Sequence, residues 1–506
     1  MSPLRSTGTS DELKIIFGIL LWVVGPLFFQ TIRKLHPLKA VWEMMRLIRM
    51  PARRRPGVRI GEAQIPDEAR LRHTHIVGAT GTGKTVLIEQ LIFSDLRRGA
   101  GALIIDPKGE RTFYEEVKRY CIEIGRGDDL YLLSATFPEE SAIWNPCGLG
   151  NVSELQTKFY NSAIYNEPHY AKACEYGLLT AFGELTKKYK DGFTIQELLA
   201  ELKRLEESDR KNIVTGLFFD LNNLAHGEWE PILACGSRAK SVRARSISIL
   251  DVVTQNKILF VDLPTEGKRV QSSRIGRLLT QEILLISGMR KRNPELIGSC
   301  PFSVYIDEFD AFATESFATF LNKGRSSGFM IHLAHQTLSD LNLISKEFSG
   351  QIMGNCNVRF IFRQDDPDDA ERWARFIGTH TVVKETYRTS GGLQTGESSN
   401  REAQEFLISP DVIKSLPTGT CVFSCKTEAT SKLIQVPYVP RVRAATQSMT
   451  PYPVAVQRGL GVRELKSLNR PNRIAAVELD SVSEQKVQGD WGIFEKRLTS
   501  HKEGNV

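Results

Sequence analysis

The 506-residue sequence predicts an α/β protein with a central, mostly parallel β-sheet, and three observations support this prediction. Short apolar runs recur along the chain, among them "ALIID" (102–106), "ILFVD" (258–262) and "SVYIDEF" (303–309). Helical patterns separate these runs, which is typical of strands that a parallel sheet buries on both faces. Each run also stops on an aspartate, and ligands bind at the carboxyl ends of parallel strands.

Composition places the chain among ordinary globular proteins. It is 41% hydrophobic and 25% charged, and its length is enough for two or three domains. The formal net charge of +7 is too small over this length to indicate a partner. The eight cysteines show no paired metal-binding spacing and are best interpreted as reduced thiols.

Residues 1–60 predict a membrane anchor with a basic juxtamembrane segment. The run "IIFGILLWVVGPLFF" (15–29) carries no charge, and extended to Ile32 it gives a helix about 27 Å long, close to a hydrocarbon core. Residues 31–60 contain nine basic residues and one acid, so the positive-inside rule predicts a single-pass protein with the bulk of the chain in the cytoplasm. A cleaved signal peptide and a buried soluble helix are the alternatives. The basic residues could contact nucleic acid instead of lipid.

The stretch "GATGTGKT" (78–85) predicts a phosphate-binding loop of the Walker A type, because it lies between an apolar strand and a helical pattern. Its glycines allow backbone shapes that side chains would block, so that N–H groups can converge on phosphate oxygens. Lys84 would reach the outer phosphates and Thr85 would bind magnesium, which makes ATP and Mg²⁺ the expected ligands. The predicted nucleotide-binding residues are Gly78, Ala79, Thr80, Gly81, Thr82, Gly83, Lys84 and Thr85.

The magnesium ligand must be chosen among the three strand-end aspartates. ATP hydrolysis needs one carboxylate near magnesium and a second group that orients or deprotonates water. Only Asp307 is followed at once by another acid, Glu308, whereas Asp106 and Asp262 are not. We therefore expect Asp307 to bind magnesium and Glu308 to activate water.

Two further residues are candidates for catalysis. The apolar run "FMIHLAHQ" ends in Gln336, and in the additional-strand class of P-loop ATPases this strand lies between the Walker A and Walker B strands. Gln336 is therefore predicted to sense the γ-phosphate or the attacking water. The exposed "FLNKGRSSG" segment (320–328) contains Arg325, which belongs either to a plain turn or to a contact with the phosphate of a neighbouring subunit.

Several stretches together resemble the type IV secretion coupling proteins, the TraD/TraG-like ATPases of conjugation. The resemblance covers roughly residues 70–380. It is carried by "GATGTGKT", "IIDPKGE" (104–110), "WNP" (144–146), "YIDEF" and "NKGRSSGFMIHLAHQ". The combination of "DPKGE" with "WNP" is more specific than either Walker motif.

This resemblance implies a membrane-anchored homohexameric motor with a RecA-like P-loop ATPase domain. Its members recruit a relaxase–DNA complex, the relaxosome, to a type IV secretion channel at the bacterial inner membrane and pump single-stranded DNA. The sequence does not decide between single-stranded and double-stranded DNA. Arg325 matches the position of the family's arginine finger, and Glu308 and Gln336 match its catalytic acid and sensor.

The resemblance also implies an all-α domain inserted into the nucleotide-binding domain. The stretch "CGSRAKSVRARS" (235–246) at its end carries basic residues and no acid, and is either a DNA contact or a solvated loop. The expected boundaries are 1–60 for the anchor, 61–150 and 246–440 for the two parts of the nucleotide-binding domain, 151–245 for the all-α insertion and 441–506 for a flexible tail.

Two other functions compete with conjugative DNA transfer. An FtsK-like chromosome translocase would normally bring several membrane helices and a winged-helix terminus, and neither pattern is visible in the sequence. A substrate receptor that uses ATP only as a switch would share the same nucleotide pocket. The sequence leaves this second alternative open.

Overall fold

The computed structural model describes residues 56–438, apart from 110, 166, 210–214, 234–245, 299 and 391–392. The chain divides into two units after Gly57, and the larger unit begins at Val58. None of the helices among the described residues is both long and apolar enough to cross a bilayer. The predicted anchor (15–32), nearly all of the basic segment 235–246 and the predicted tail (441–506) lie outside the described residues.

The described strands are β1 Gly57–Ile60, β2 Ala63–Pro66, β3 Thr74–Val77, β4 Ala102–Asp106, β5 Leu130–Ser134, β6 Ile143–Trp144, β7 Ser246–Ile247, β8 Ile258–Asp262, β9 Phe302–Ile306, β10 Phe329–His335, β11 Val358–Ile361, β12 Thr379–Ser390, β13 Leu393–Phe406, β14 Thr420–Cys425 and β15 Thr430–Gln435. A nine-stranded sheet forms the centre of the fold, in the order β15-β14-β11-β3-β10-β9-β4-β8-β5. Two-stranded sheets pair β1 with β2, β6 with β7 and β12 with β13.

The central sheet confirms the prediction of a mostly parallel α/β fold. Strands β5, β8, β4, β9, β10, β3 and β11 are parallel, and only β14 and β15 are added antiparallel at one edge. Strand β10 lies between β3 and β9, which is the position predicted for the additional strand. The polar β12–β13 hairpin and the antiparallel edge were not predicted.

Helices flank the sheet and also form the segment between β6 and β7. The helices are α1 Asp67–Arg70, α2 Lys84–Arg97, α3 Arg111–Glu123, α4 Val152–Ser162, α5 Pro168–Lys188, α6 Ile195–Asp209, α7 Thr215–Ala225, α8 Ile249–Thr254, α9 Arg269–Arg292, α10 Glu315–Gly324, α11 Leu338–Asn342, α12 Lys346–Asn355, α13 Pro367–Ile377 and α14 Pro410–Lys414. Four of them, α4 to α7, occupy the region where the sequence predicts an all-α insertion.

Burial of apolar side chains stabilises the packing of the helices against the central sheet. Every residue of β3, β4, β8, β9 and β10 is buried, as expected for strands covered on both faces. Buried side chains of the inserted helices, such as Phe159 and Phe182, share one core with Leu278 of α9 and Leu103 of β4. The insertion is therefore packed continuously against one face of the sheet.

A buried polar network connects the elements beneath the phosphate-binding loop. Arg70 donates two hydrogen bonds of 2.7 Å to Asp95 of α2, and its Nη2 lies 2.9 Å from His332 Nε2 on β10. The hydroxyls of Ser303 and Tyr305 on β9 each donate to Asp95 at 2.6 Å. Burial alone would raise the pKa of Asp95, but the pairing with Arg70 and these hydrogen bonds hold it well below its usual range. This network joins α1, α2, β9 and β10.

Candidate active site

The predicted phosphate-binding loop connects the end of β3 with the first turn of α2. Gly81 and Gly83 have φ values of 75° and 112°, in the left-handed region that favours glycine. Gly78 is constrained differently, because a Cβ placed there would lie 2.5 Å from the Cβ of Phe362. The glycines therefore meet two needs, backbone conformation at Gly81 and Gly83 and close packing at Gly78.

Two neighbouring loops hold the phosphate-binding loop in place. The Ala79 N–H donates to the Arg363 carbonyl at 2.9 Å, just after β11, and the Gly419 N–H donates to the Thr82 carbonyl at 2.8 Å, just before β14. Gly419 has a φ of 78°, and its Cα would be 3.3 Å from a Cβ at Gly83. The antiparallel edge of the sheet thus helps to shape a loop that is recognisable in the sequence as a local motif.

Lys84 lies inside this loop. Its Nζ donates to the carbonyl oxygens of Gly78 and Ala79 at 2.5 and 3.1 Å. Partial burial lowers the pKa of Lys84, and the negative charges of Asp307 and Glu308 oppose that effect. The Lys84 ammonium is therefore held by backbone carbonyls of the loop and lies within electrostatic range of the acid pair.

The acid pair follows β9 directly. The Glu308 N–H donates to Asp307 Oδ1 at 3.0 Å, which fixes the first carboxylate. Glu308 has φ 41° and ψ 51°, a left-handed conformation that costs a non-glycine residue about 1–2 kcal/mol. Burial, helped by the negative charges of Asp307 and Asp310, raises the pKa of Glu308 above its usual value.

Strand order separates the three aspartates. Asp307 ends the strand two places from β3, whereas Asp106 and Asp262 end strands three and four places away. Neighbouring strands lie about 4.8 Å apart, so Asp307 is nearest to the phosphate-binding loop. Asp262 Oδ2 accepts a hydrogen bond from Ser134 at 2.6 Å. Burial raises the pKa of Asp106 to about 7. Both of these aspartates are buried at the same edge of the sheet.

Lys108 is a site residue that sequence reasoning missed. Its Nζ donates to Thr85 Oγ1 at 2.9 Å and lies 3.8 Å from Asp307 Oδ2. One cation therefore contacts both oxygens that were predicted to bind magnesium. A hydroxyl and a carboxylate are also the hard oxygen donors that Mg²⁺ prefers, so these residues fit such an ion. The only sequence signal was that Lys108 belongs to "IIDPKGE", the stretch most specific to the resemblance.

Gln336 and Arg325 lie at opposite ends of β10. The hydroxyl of Thr80 donates to Gln336 Oε1 at 3.1 Å, so the predicted sensor contacts the phosphate-binding loop. Arg325 is exposed and precedes the strand. The seven residues of β10 separate the two positions by roughly 23 Å. The structure therefore brings Gln336 into the site of its own chain but does not bring Arg325 there.

Two sequence families match the chain. The family described as the type IV secretion-system coupling protein DNA-binding domain matches residues 58–209. The family described as the TraM recognition site of TraD and TraG matches residues 301–418. Together the two matches include the phosphate-binding loop, Lys108, the acid pair and Gln336.

The individual relatives share a quarter or less of their aligned residues with this chain. The type 4 coupling protein DotL of Legionella pneumophila subsp. pneumophila is 25% identical over 407 residues, which are 65% of this chain and 51% of DotL. The chain thus spans about half the length of this curated relative. The unbound bacterial conjugative coupling protein TrwBdeltaN70 has a similar fold, with a TM-score of 0.60, 18% identity and coverage of 76% of this chain and 90% of that chain. The plasmid coupling protein TrwB in complex with ADP and Mg²⁺ gives a TM-score of 0.58 at 17% identity, over 76% of this chain and 89% of that one.

Proposed function

The chain belongs to the type IV secretion coupling protein family, and we propose that it is an ATP-driven DNA translocase. In this role it hydrolyses ATP at the edge of the central sheet and moves DNA, delivered with a relaxase, into a type IV secretion channel. The observation that supports the proposal most is the convergence of three separate segments at that edge. Lys84 lies within electrostatic range of Asp307 and Glu308, while Gln336 contacts Thr80 of the loop.

The residues divide the chemistry among them. Backbone N–H groups of the loop 78–85 would hold the phosphates, and Lys84 would contact the outer phosphates. Thr85 and Asp307 would hold Mg²⁺, which when bound neutralises phosphate charge. Glu308 would accept a proton from the attacking water. Gln336 accepts from Thr80 through its oxygen, so its amide N–H groups would remain to orient that water.

Assembly and location are part of the same proposal. Because β10 separates Arg325 from its own loop, this residue would act on the nucleotide of the next subunit in a homohexamer. The uncharged run 15–29 and the basic residues after it support an anchor in the bacterial inner membrane, with the ATPase on the cytoplasmic side. A relaxosome and channel components would be the protein partners, as expected for a coupling protein.

DNA-stimulated hydrolysis tests the proposed function. Adding DNA to the purified full-length chain is expected to raise the steady-state rate of ATP hydrolysis, because a motor couples each turnover to movement on its track. Single- and double-stranded DNA of equal length should be compared at several salt concentrations, since phosphate contacts weaken with salt. An ATP-switched receptor would hydrolyse at the same rate with and without DNA, and that result would contradict the translocase.

Mixing of variants tests the action of Arg325 on a neighbouring subunit. Arg325→Ala alone is expected to lower ATP hydrolysis by roughly 10³-fold, the lower end of the range for arginine fingers. Oligomers mixed from Arg325→Ala and Lys84→Ala subunits should recover part of the activity, because some interfaces then combine an intact loop with an intact arginine. Lys323→Ala, on the same exposed turn, is the control and should keep full activity. Absence of recovery would mean that Arg325 does not act across the interface.

A further inference from the structure

Lys108 is a second lysine at the candidate nucleotide site. Its ammonium does not face the ring of backbone groups that Lys84 contacts. It bridges Thr85 Oγ1, at 2.9 Å, and Asp307 Oδ2, at 3.8 Å. These are the two side chains that would hold magnesium, and hydrogen bonding to Lys108 uses a lone pair of the Thr85 hydroxyl. A divalent cation at the same oxygens would also be repelled by an ammonium only a few ångströms away.

We propose that Lys108 competes with Mg²⁺ for Thr85 and Asp307, so that loading of the cation requires the lysine side chain to leave. This inference rests on the proposed nucleotide site. It assigns to "DPKG" a role in controlling when the site accepts its metal ion. Lys108 thereby sets the Mg²⁺ concentration at which nucleotide binds tightly.

The loop backbone confines this exchange to the side chain. The Lys108 N–H donates to Asp106 Oδ1 at 3.3 Å, and the Pro107 carbonyl accepts from the Thr265 N–H at 2.9 Å. Gly109 has a φ of 68°, and a Cβ at this position would lie 2.8 Å from Pro264 Cβ. Because these contacts hold the backbone, the flexible four-carbon stem is the part that can move.

The surroundings provide acidic groups for the displaced ammonium. A cavity of about 90 Å³ adjoins the site, and its lining includes Glu89 of α2, Glu116 of α3 and Lys108 itself. The Lys108 side chain is 35% exposed, so it can reorient without leaving a fully buried position. It can therefore exchange one acidic environment for another.

Magnesium dependence of nucleotide binding tests the inference. The full-length chain is titrated with Mg²⁺ in the presence of fluorescent N-methylanthraniloyl-ADP, starting from chelated buffer. Lys108→Met is expected to lower the Mg²⁺ midpoint about fivefold, the upper end of what a partly exposed ion pair contributes. Lys108→Gln should do the same, and Lys108→Arg should stay near wild type. Lys118→Met removes an exposed lysine of α3 that pairs with Glu140, and it should leave the midpoint unchanged.

Two results would overturn competition. An unchanged or higher Mg²⁺ midpoint in both Lys108→Met and Lys108→Gln would show that the lysine does not oppose the cation. Weaker ADP binding by Lys108→Met than by the wild type in chelated buffer, where no Mg²⁺ is present, would show that Lys108 is a phosphate ligand. A wild-type chain that binds no nucleotide would contradict the proposed function itself. Normal wild-type binding with unshifted variants would contradict only the role of Lys108.

Discussion

Replacing Lys84 by alanine is expected to lower ATP hydrolysis by roughly 10²- to 10³-fold and to stop DNA transfer, because a preorganised charge on the phosphates is lost. The Lys84 ammonium donates hydrogen bonds to the carbonyl oxygens of Gly78 and Ala79, and these bonds hold the charge in place inside the loop. Steady-state hydrolysis and conjugative transfer measure the two effects.

The control for this variant is Lys118→Ala. It removes an equal charge from α3, where the lysine pairs with Glu140 outside the phosphate-binding loop. It should hydrolyse ATP and transfer DNA like the wild type. Unchanged DNA transfer in the Lys84→Ala chain, with hydrolysis lost, would separate transfer from ATP turnover and end the motor interpretation.

Glu308→Gln is expected to bind ATP normally but to hydrolyse it roughly 10²- to 10⁴-fold more slowly, the range that general bases contribute. Glutamine keeps the length of the side chain and the Asp307 contact of the backbone N–H, but it accepts no proton. Single-turnover hydrolysis and fluorescent nucleotide binding separate chemistry from affinity.

Two further variants control the Glu308 experiment. Glu371→Gln removes a carboxylate of α13 that pairs with Arg375 outside the candidate site, and it should keep activity. Glu308→Gly would remove the carboxylate and also the strain at this position, because glycine adopts the left-handed backbone conformation without steric cost. If the role of Glu308 were only to shape the turn, the glycine variant would be active, whereas a catalytic base predicts that it is inactive.

The parts of the site predicted from sequence are those encoded by neighbouring residues. The loop 78–85 is one continuous motif, and the pair Asp307–Glu308 is distinguished by adjacency alone. The position of β10 also followed from the motif order of a class of ATPases. Each of these inferences needed only the local pattern and the order of strands along the chain.

What was missed depends on distant contacts. Lys108 contacts Thr85 and Asp307 from a loop that packs against Pro264, which is far away in sequence. Gly419 supports the phosphate-binding loop from the other end of the chain. The β12–β13 hairpin has polar residues throughout much of "THTVVKETYRTS", so it lacks the apolar pattern that marks a strand of the core. No local periodicity signals contacts of this kind.

The buried Arg70–Asp95 pair has a mechanical consequence. It ties α2, which starts at the phosphate-binding loop, to β9 and β10, whose ends carry Asp307 and Gln336. Separating these elements would pull apart a buried ion pair and leave its two charges without their partners in the interior, which is unfavourable. These elements are therefore tied together as one stiff block. In the proposed translocase, movement during nucleotide turnover would take place where this block meets its neighbours, and not at a hinge within it.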